Sequence, residues 1–293
     1  MKIGLVTDST CDLQNELIQK YNIEVVPLKV HFGTDEYIDG QEIDSSKFFE
    51  MIKTNQEMPK TSKPSKHAFL NKYKDMLKTY DKIISIHVSK GLSGTYESAE
   101  LAARDIGNDK ITVVDSASIS LGLGFQVLMT GKLIENNYSF AEIMNRLNKA
   151  IEKVNCIFTV EDLTYMKEGG RIGKARAFLG SFFNINPIIE ISPKTGKVNP
   201  LDKIRGNKKT LQKMSELITD KITEDKKAWV GIMHGDRPET AEKLLSKTKE
   251  LLPDDIEVNF FQERISPTLG CHVGPSVYAF ATLSGQILNF NPK

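Results

Sequence analysis

The 293-residue sequence has only three cysteines, Cys11, Cys156 and Cys271, widely spaced and odd in number. That pattern argues against a disulfide framework and fits reduced thiols in a cytoplasm. Neither sign of charge is in excess, with 39 basic and 38 acidic residues. A surface that tracks nucleic-acid phosphates needs a basic excess, so nucleic-acid binding is disfavoured. No apolar run is long enough to span a bilayer, and Met1-Lys2 leads straight into Ile3-Gly4-Leu5-Val6-Thr7 without a signal-peptide pattern. The five histidines show no paired spacing, so no metal set is expected, and no cofactor motif is present. These absences describe a soluble cytoplasmic protein, long enough for two domains.

Two further absences sharpen the most informative segment, Ile83 to Tyr96. Its apolar start reads as a buried strand, and Gly91-Leu92-Ser93-Gly94-Thr95 reads as a small-residue loop opening a helix over Tyr96–Ile106. Glycines admit a ligand close to the backbone, and the amides of a first helical turn point outward unpaired. The segment therefore suits an anion. It lacks the Lys-Ser/Thr pair of a nucleotide P-loop, and Thr95 stands where a nucleophile elbow needs glycine. A small anion, best a carboxylate, is expected there.

Strands are expected at Lys2–Thr7, Glu24–Val30, Lys82–Val88 and Ile111–Val114, separated by helices such as Ser65–Thr79. Such alternation argues for a parallel sheet flanked by helices, with ligands at the carboxyl ends of its strands. A capping box, Ser139 with Glu142, opens a helix that ends near Asn155. The domain boundary is placed there, giving an N-terminal α/β domain over 1–155 and a C-terminal α/β domain over 156–293. The second half is expected to hold a mixed sheet, with strands at Cys156–Val160, Pro187–Ile191, Trp229–Met233 and Glu257–Gln262. Its helices are expected at Glu161–Glu168, Lys174–Phe183, Lys208–Ile222 and Pro238–Leu251. Pro193-Lys194-Thr195-Gly196 reads as a hairpin turn, and the last apolar run, Val277–Leu283, fits either sheet.

Other motifs carry less on their own. Asp8-Ser9-Thr10 could hold a nucleophile, yet the second aspartate of a phosphotransferase is missing and a polar turn cap explains it better. Thr61-Ser62-Lys63-Pro64-Ser65 has more hydroxyls than one helix cap needs. In Lys167-Glu168-Gly169-Gly170-Arg171-Ile172, a C-cap explains Lys167 but neither Arg171 nor the later Arg176, which suggest a docking or anion-contacting surface. Arg205, beside Gly206, could reach a carboxylate. Cys271-His272-Val273-Gly274-Pro275-Ser276 places His272 in a glycine- and proline-shaped loop, in a hydrogen-bonding role.

As an ordered set these motifs resemble the DegV family, with Gly122-Leu123-Gly124 as a further match. One departure is visible: Ser276 replaces the last glycine of the family's Gly-Pro-Gly loop. The resemblance implies two α/β domains with a lipid bound between them and no catalytic residue in this chain. It implies a long-chain fatty acid as ligand, with its carboxylate at Ser93 and Gly94 and support from Thr61, Ser62, Arg205 and His272. It also implies a separate ATP-dependent fatty acid kinase as partner, acyl phosphate as product and transient contact with a membrane. Arg171 and Arg176 are expected to dock the kinase. Phe158, Leu163, Phe178, Leu179, Phe182, Phe183 and Ile188 are candidates to line the acyl chain. The competing reading is a stand-alone hydrolase or phosphotransferase using Asp8 or Ser93.

Overall fold

A computed structural model describes residues 1–55, 57–107, 109–178 and 185–290. The buried run β1 (Ile3–Asp8) passes through a 3-10 turn, Ser9–Cys11, and α1 (Asn15–Lys20) to β2 (Ile23–Val26), its parallel neighbour. The expected single strand Glu24–Val30 is two strands in different sheets. Pro27 cannot donate to a ladder, so β2 ends before it. The chain then turns into β3 (Lys29–Phe32), which pairs antiparallel with β4 (Asp35–Ile38) and, after α2 (Ser45–Thr54), with β5 (Lys60–Ser62).

The alternation then resumes with α3 (Lys66–Met76), β6 (Lys82–His87), α4 (Thr95–Ile106) and β7 (Ile111–Asp115). Ser65 caps α3 by accepting from the Ala68 amide. The result is a four-stranded sheet in the order β2-β1-β6-β7, with every pairing parallel. Next come α5 (Ser120–Glu135) and α6 (Phe140–Lys153), the latter opened by both hydrogen bonds of the Ser139–Glu142 capping box.

The second sheet begins at β8 (Asn155–Thr159). It continues through α7 (Thr164–Glu168), a 3-10 segment Gly173–Phe178, β9 (Ile185–Ile191) and β10 (Val198–Arg205). The expected helix Lys174–Phe183 is described only through that 3-10 segment, and its remainder lies outside the described residues. After α8 (Asn207–Ile222) the elements are β11 (Lys227–His234), α9 (Pro238–Leu251), β12 (Glu257–Arg264), α10 (Pro267–Val273) and β13 (Tyr278–Ser284). The strand order is β10-β9-β8-β13-β11-β12, with only β11 and β12 parallel. The last apolar run therefore joins this mixed sheet, between β8 and β11.

Helix α5 is the common wall. Its residues from Ser120 to Gly131 are all buried, and it packs on β1 and β6 of the first sheet and on β8, β11 and β13 of the second. A helix apolar on every side belongs in an interior. One hydrophobic cluster accordingly runs from Leu5 and Ile86 through Leu121 and Phe125 to Trp229 and Leu283.

Candidate functional site

A cavity of about 360 Å³ lies between the carboxyl ends of β1 and β6 and the facing residues of the second sheet. Its apolar walls include Leu92, Ile119, Phe158, Met166, Met233 and Leu269. Its polar lining includes Thr61, Ser62, Lys63, Ser93, Gly94, Arg171 and His272. The size and the mix of apolar wall with few polar groups suit a small-molecule site.

The Ser93 loop owes its shape to hydrogen bonds on both sides. The Leu92 and Ser93 amides donate to Ser89 O, and Ser89 N–H donates to Ser118 O. Ser93 Oγ lies 2.9 Å from Thr95 Oγ1 and accepts from the Thr95 amide at 3.3 Å. Lys63 Nζ donates to Gly94 O at 3.3 Å, which brings the Thr61–Lys63 segment against the first turn of α4. From the other sheet, the turn between β9 and β10 clamps the loop: Ser89 Oγ donates to Gly196 O at 2.8 Å.

His272 sits in the last turn of α10, not in the expected loop, because the helix opened by Pro267 runs on to Val273 before Gly274 ends it. Its Nε2 is 2.9 Å from Thr61 Oγ1, whereas Nδ1 is buried without a partner. Gly169 explains that: a Cβ there would lie 2.5 Å from Nδ1, so only glycine lets α7 end against the ring. The direction of the Nε2–Thr61 Oγ1 hydrogen bond follows the ring tautomer; with the proton on Nε2, the Thr61 hydroxyl proton is left for a ligand. Burial, and then the Arg171 charge, push the His272 pKa down to about 4, so the ring is neutral at pH 7. Arg171 follows Gly170, whose φ of +69° turns the chain, and donates to Leu92 O at 3.3 Å and Gly169 O at 2.8 Å. The Gly169-Gly170-Arg171 motif thus builds one wall of the site.

Asp8 is elsewhere engaged. It is fully buried, and it accepts from Thr10 N and Oγ1 on one oxygen and from Val88 N and His87 Nδ1 on the other. His87 continues to Ser85 at 2.6 Å and Ser85 to Tyr73 at 2.8 Å. This network ties β1 to β6, and Asp8 does not line the cavity. Ser93 does line it, but its hydroxyl is paired with Thr95 and bonds to no histidine among the described residues.

Of the residues singled out beforehand, Thr61, Ser62, Ser93, Gly94 and His272 meet at the cavity, and Arg171 joins them. Arg205 does not; it is exposed at the end of β10, an edge strand of the second sheet. Arg176 is exposed on the 3-10 segment. Phe158 lines the cavity, while Leu163 and Ile188 are buried core. The Phe178 side chain and all of Leu179, Phe182 and Phe183 lie outside the described residues. Ser276 needs no left-handed backbone, and its hydroxyl accepts from the Glu161 amide at 3.2 Å. Lys63, Thr10, Ser120 and Thr268 also line the cavity without having been singled out. Lys63 and Thr10 lie within motifs that were, whereas Ser120 and Thr268 carry no local signal.

A family model described as an uncharacterised protein of the DegV family matches residues 2–284. Protein DegV of Bacillus subtilis is 32% identical over 275 residues, covering 94% of this chain and 96% of its own. The fold superposes on a fatty-acid-binding DegV family protein from Thermus thermophilus with a TM-score of 0.89 and 31% identity, covering 97% of this chain and all of that one. DegV of Bacillus subtilis, a fatty acid binding protein, gives a TM-score of 0.88 and 30% identity, covering 97% of this chain and 99% of that one.

Proposed function

The chain belongs to the DegV family, and from that premise we propose that it binds a long-chain fatty acid in this cavity and presents it to a separate ATP-dependent fatty acid kinase. The kinase would transfer the γ-phosphoryl group of ATP to the carboxylate, giving acyl phosphate and ADP for phospholipid synthesis. One observation carries the reading: an apolar cavity whose polar lining brings Ser93, Thr61 and Arg171 together.

An ionised carboxylate buried without partners costs many kcal/mol. The Arg171 guanidinium offsets that by charge-assisted hydrogen bonding, and the Ser93 and Thr61 hydroxyls and the first-turn amides of α4 add donors. Each methylene of the tail contributes roughly 0.8 kcal/mol gross, so the tail supplies most of the affinity. The hydroxyls fix register and leave the carboxylate where a partner can reach it. No group of this chain need form or break a bond. The hydrolase reading finds less support, since Asp8 is sealed within the β1–β6 network and Ser93 has no base. Both arginines are exposed, but only Arg171 lines the cavity; Arg171 then serves the ligand, and Arg176 is left as the docking residue.

The test is organic extraction of the purified protein with mass spectrometry, followed by titration with added fatty acid. A bound acyl chain is expected, and Ser93→Ala should weaken binding roughly tenfold or more, the loss of one hydrogen bond to a charged group. Arg176→Glu should keep its lipid yet fail to support acyl phosphate formation. Absence of any acyl chain, together with no affinity for added fatty acid, would overturn the reading.

A further inference from the structure

A second cavity, of about 370 Å³, opens in the C-terminal half, with none of its lining residues shared with the first. Lys208, Arg237 and Lys243 line it, against one carboxylate, Glu161. Arg237 is tied to Glu161 at 2.6 Å, while Lys208 and Lys243 have no ion-pair partner among the described residues. The N-terminus of α8 reaches the cavity at Asn207 and Lys208. That end has no side-chain cap and no acid in its first turn, so its outward amides and dipole favour an anion. The carboxylate beside it, Glu161, accepts from Asn207 Nδ2 at 3.3 Å and is balanced by Arg237. The N-terminus of α9 also comes to this cavity, at Arg237 and Thr240, again without a side-chain cap, although Glu239 stands in its first turn.

A second observation is independent of the helix ends. Tyr278 on β13 is 6% exposed, lines the cavity, and its hydroxyl has no hydrogen-bond partner. The hydroxyl feels the charges of Glu161 and Arg237, which places it at the same cluster, and burial keeps it protonated. A buried phenol left unpaired is unfavourable, so its proton calls for an acceptor. Ser276 closes the wall through its bond to the Glu161 amide.

We propose that this cavity binds a small phosphate-bearing molecule, with its phosphoryl group held by the α8 N-terminus, Lys208, Lys243 and the Tyr278 hydroxyl. A phosphoryl group carries close to two negative charges at pH 7 and three acceptor oxygens. It therefore matches a net excess of two cations and donors that converge from a helix end, two lysines and a phenol. A monocarboxylate would leave half of that charge unbalanced.

The full-length protein is titrated with inorganic phosphate and, separately, with AMP, followed by ³¹P NMR and calorimetry. Saturable binding that weakens with added NaCl is expected. Tighter binding of AMP identifies a phosphate ester as the ligand, and equal binding identifies free phosphate. The double variant Lys208→Ala/Lys243→Ala should bind at least about tenfold more weakly. Tyr278→Phe, which keeps the ring and loses only the hydroxyl, should bind several-fold more weakly. Both should retain fatty acid affinity, which separates this site from the acyl cavity. No saturable binding of either probe, or unchanged affinity in either variant, overturns the proposal.

Discussion

Asp12 shows how much one side chain can organise in this protein. It ends the Ser9–Cys11 turn in a left-handed conformation (φ 49°), a region that aspartate and asparagine tolerate. One carboxylate oxygen accepts from Ser120 Oγ at 2.6 Å, at the start of α5, and the other from the Ser266 amide at 3.1 Å, at the start of α10. Three elements at the cavity wall are thereby joined through a single carboxyl. Burial pushes its pKa up to about 7, although the Ser120 and Ser266 bonds oppose the rise. The folded protein therefore holds a proton between about pH 4 and pH 7 that the unfolded chain has released. Asp12 thus favours the folded state most at the acid end, and its contribution is lost as pH rises through that window. Asp12→Asn keeps the size, the left-handed tolerance and both bonds, since the Ser120 hydroxyl can turn to accept. Urea denaturation from pH 5 to pH 8 should show the variant gaining on the parent as pH rises. Equal slopes in the two proteins would refute the assignment. His272 works in the opposite sense, because its depressed pKa removes stability as pH falls from about 6.5 towards 4, so only the difference between parent and variant isolates Asp12.

At the level of elements, α5 is where local pattern and tertiary need part company. It shows no amphipathic stripe because both of its sides are covered, and its three glycines at 122, 124 and 131 read as poor helix formers. Those glycines are there for contact: a Cβ at Gly124 would run into the backbone carbonyl of Cys11 and the Leu13 side chain. Gly124→Ala would ordinarily favour a helix by up to about 1 kcal/mol. Here overpacking against backbone should prevail and destabilise by about 1–3 kcal/mol, measurable as a lower denaturation midpoint. A stabilised variant would show that the contact is soft. The same reasoning explains what was legible beforehand. Buried strands such as β1, β6 and β11 announce themselves as short apolar runs, and the Ser65 and Ser139 caps are local chemistry. The β3–β4 pair is a hairpin local in sequence, around Gly33-Thr34, whereas β5 joins only after α2. Helix α10 is short, its local cue is Ser266-Pro267, and its Gly270 accommodates the Phe48 and Phe49 rings, so neither the place of β5 nor the extent of α10 has a local signature. At the site, Ser93 and Thr61 were legible from loop composition. The place of Arg171 was not, since it depends on the turn at Gly170 and on the bond to Leu92 O.

For the whole molecule, the question is whether the two sheets behave as two bodies or one. Trp229 on β11 packs on Phe125 of α5 at 5.7 Å between centroids, while α5 also covers β1 and β6. The Gly196 turn of the second half holds the Ser93 loop of the first, and Ser45 Oγ donates to Ile265 O at 2.8 Å. Separating the halves would expose one side of α5, at roughly 25 cal/mol for each Å² of apolar surface returned to water. A single cooperative unfolding transition is therefore expected. Trp229 fluorescence, reporting the second half, should coincide in urea with loss of hydrogen-exchange protection in β6, reporting the first. The cavity is walled by both sheets, so its ligand should act on both reporters. Saturation with fatty acid at about 100 times its dissociation constant adds on the order of 2.7 kcal/mol to the folded state. Both transitions should then move to higher urea together. If only one moves, or if they are separate without ligand, the halves are independent and α5 belongs energetically to one of them alone.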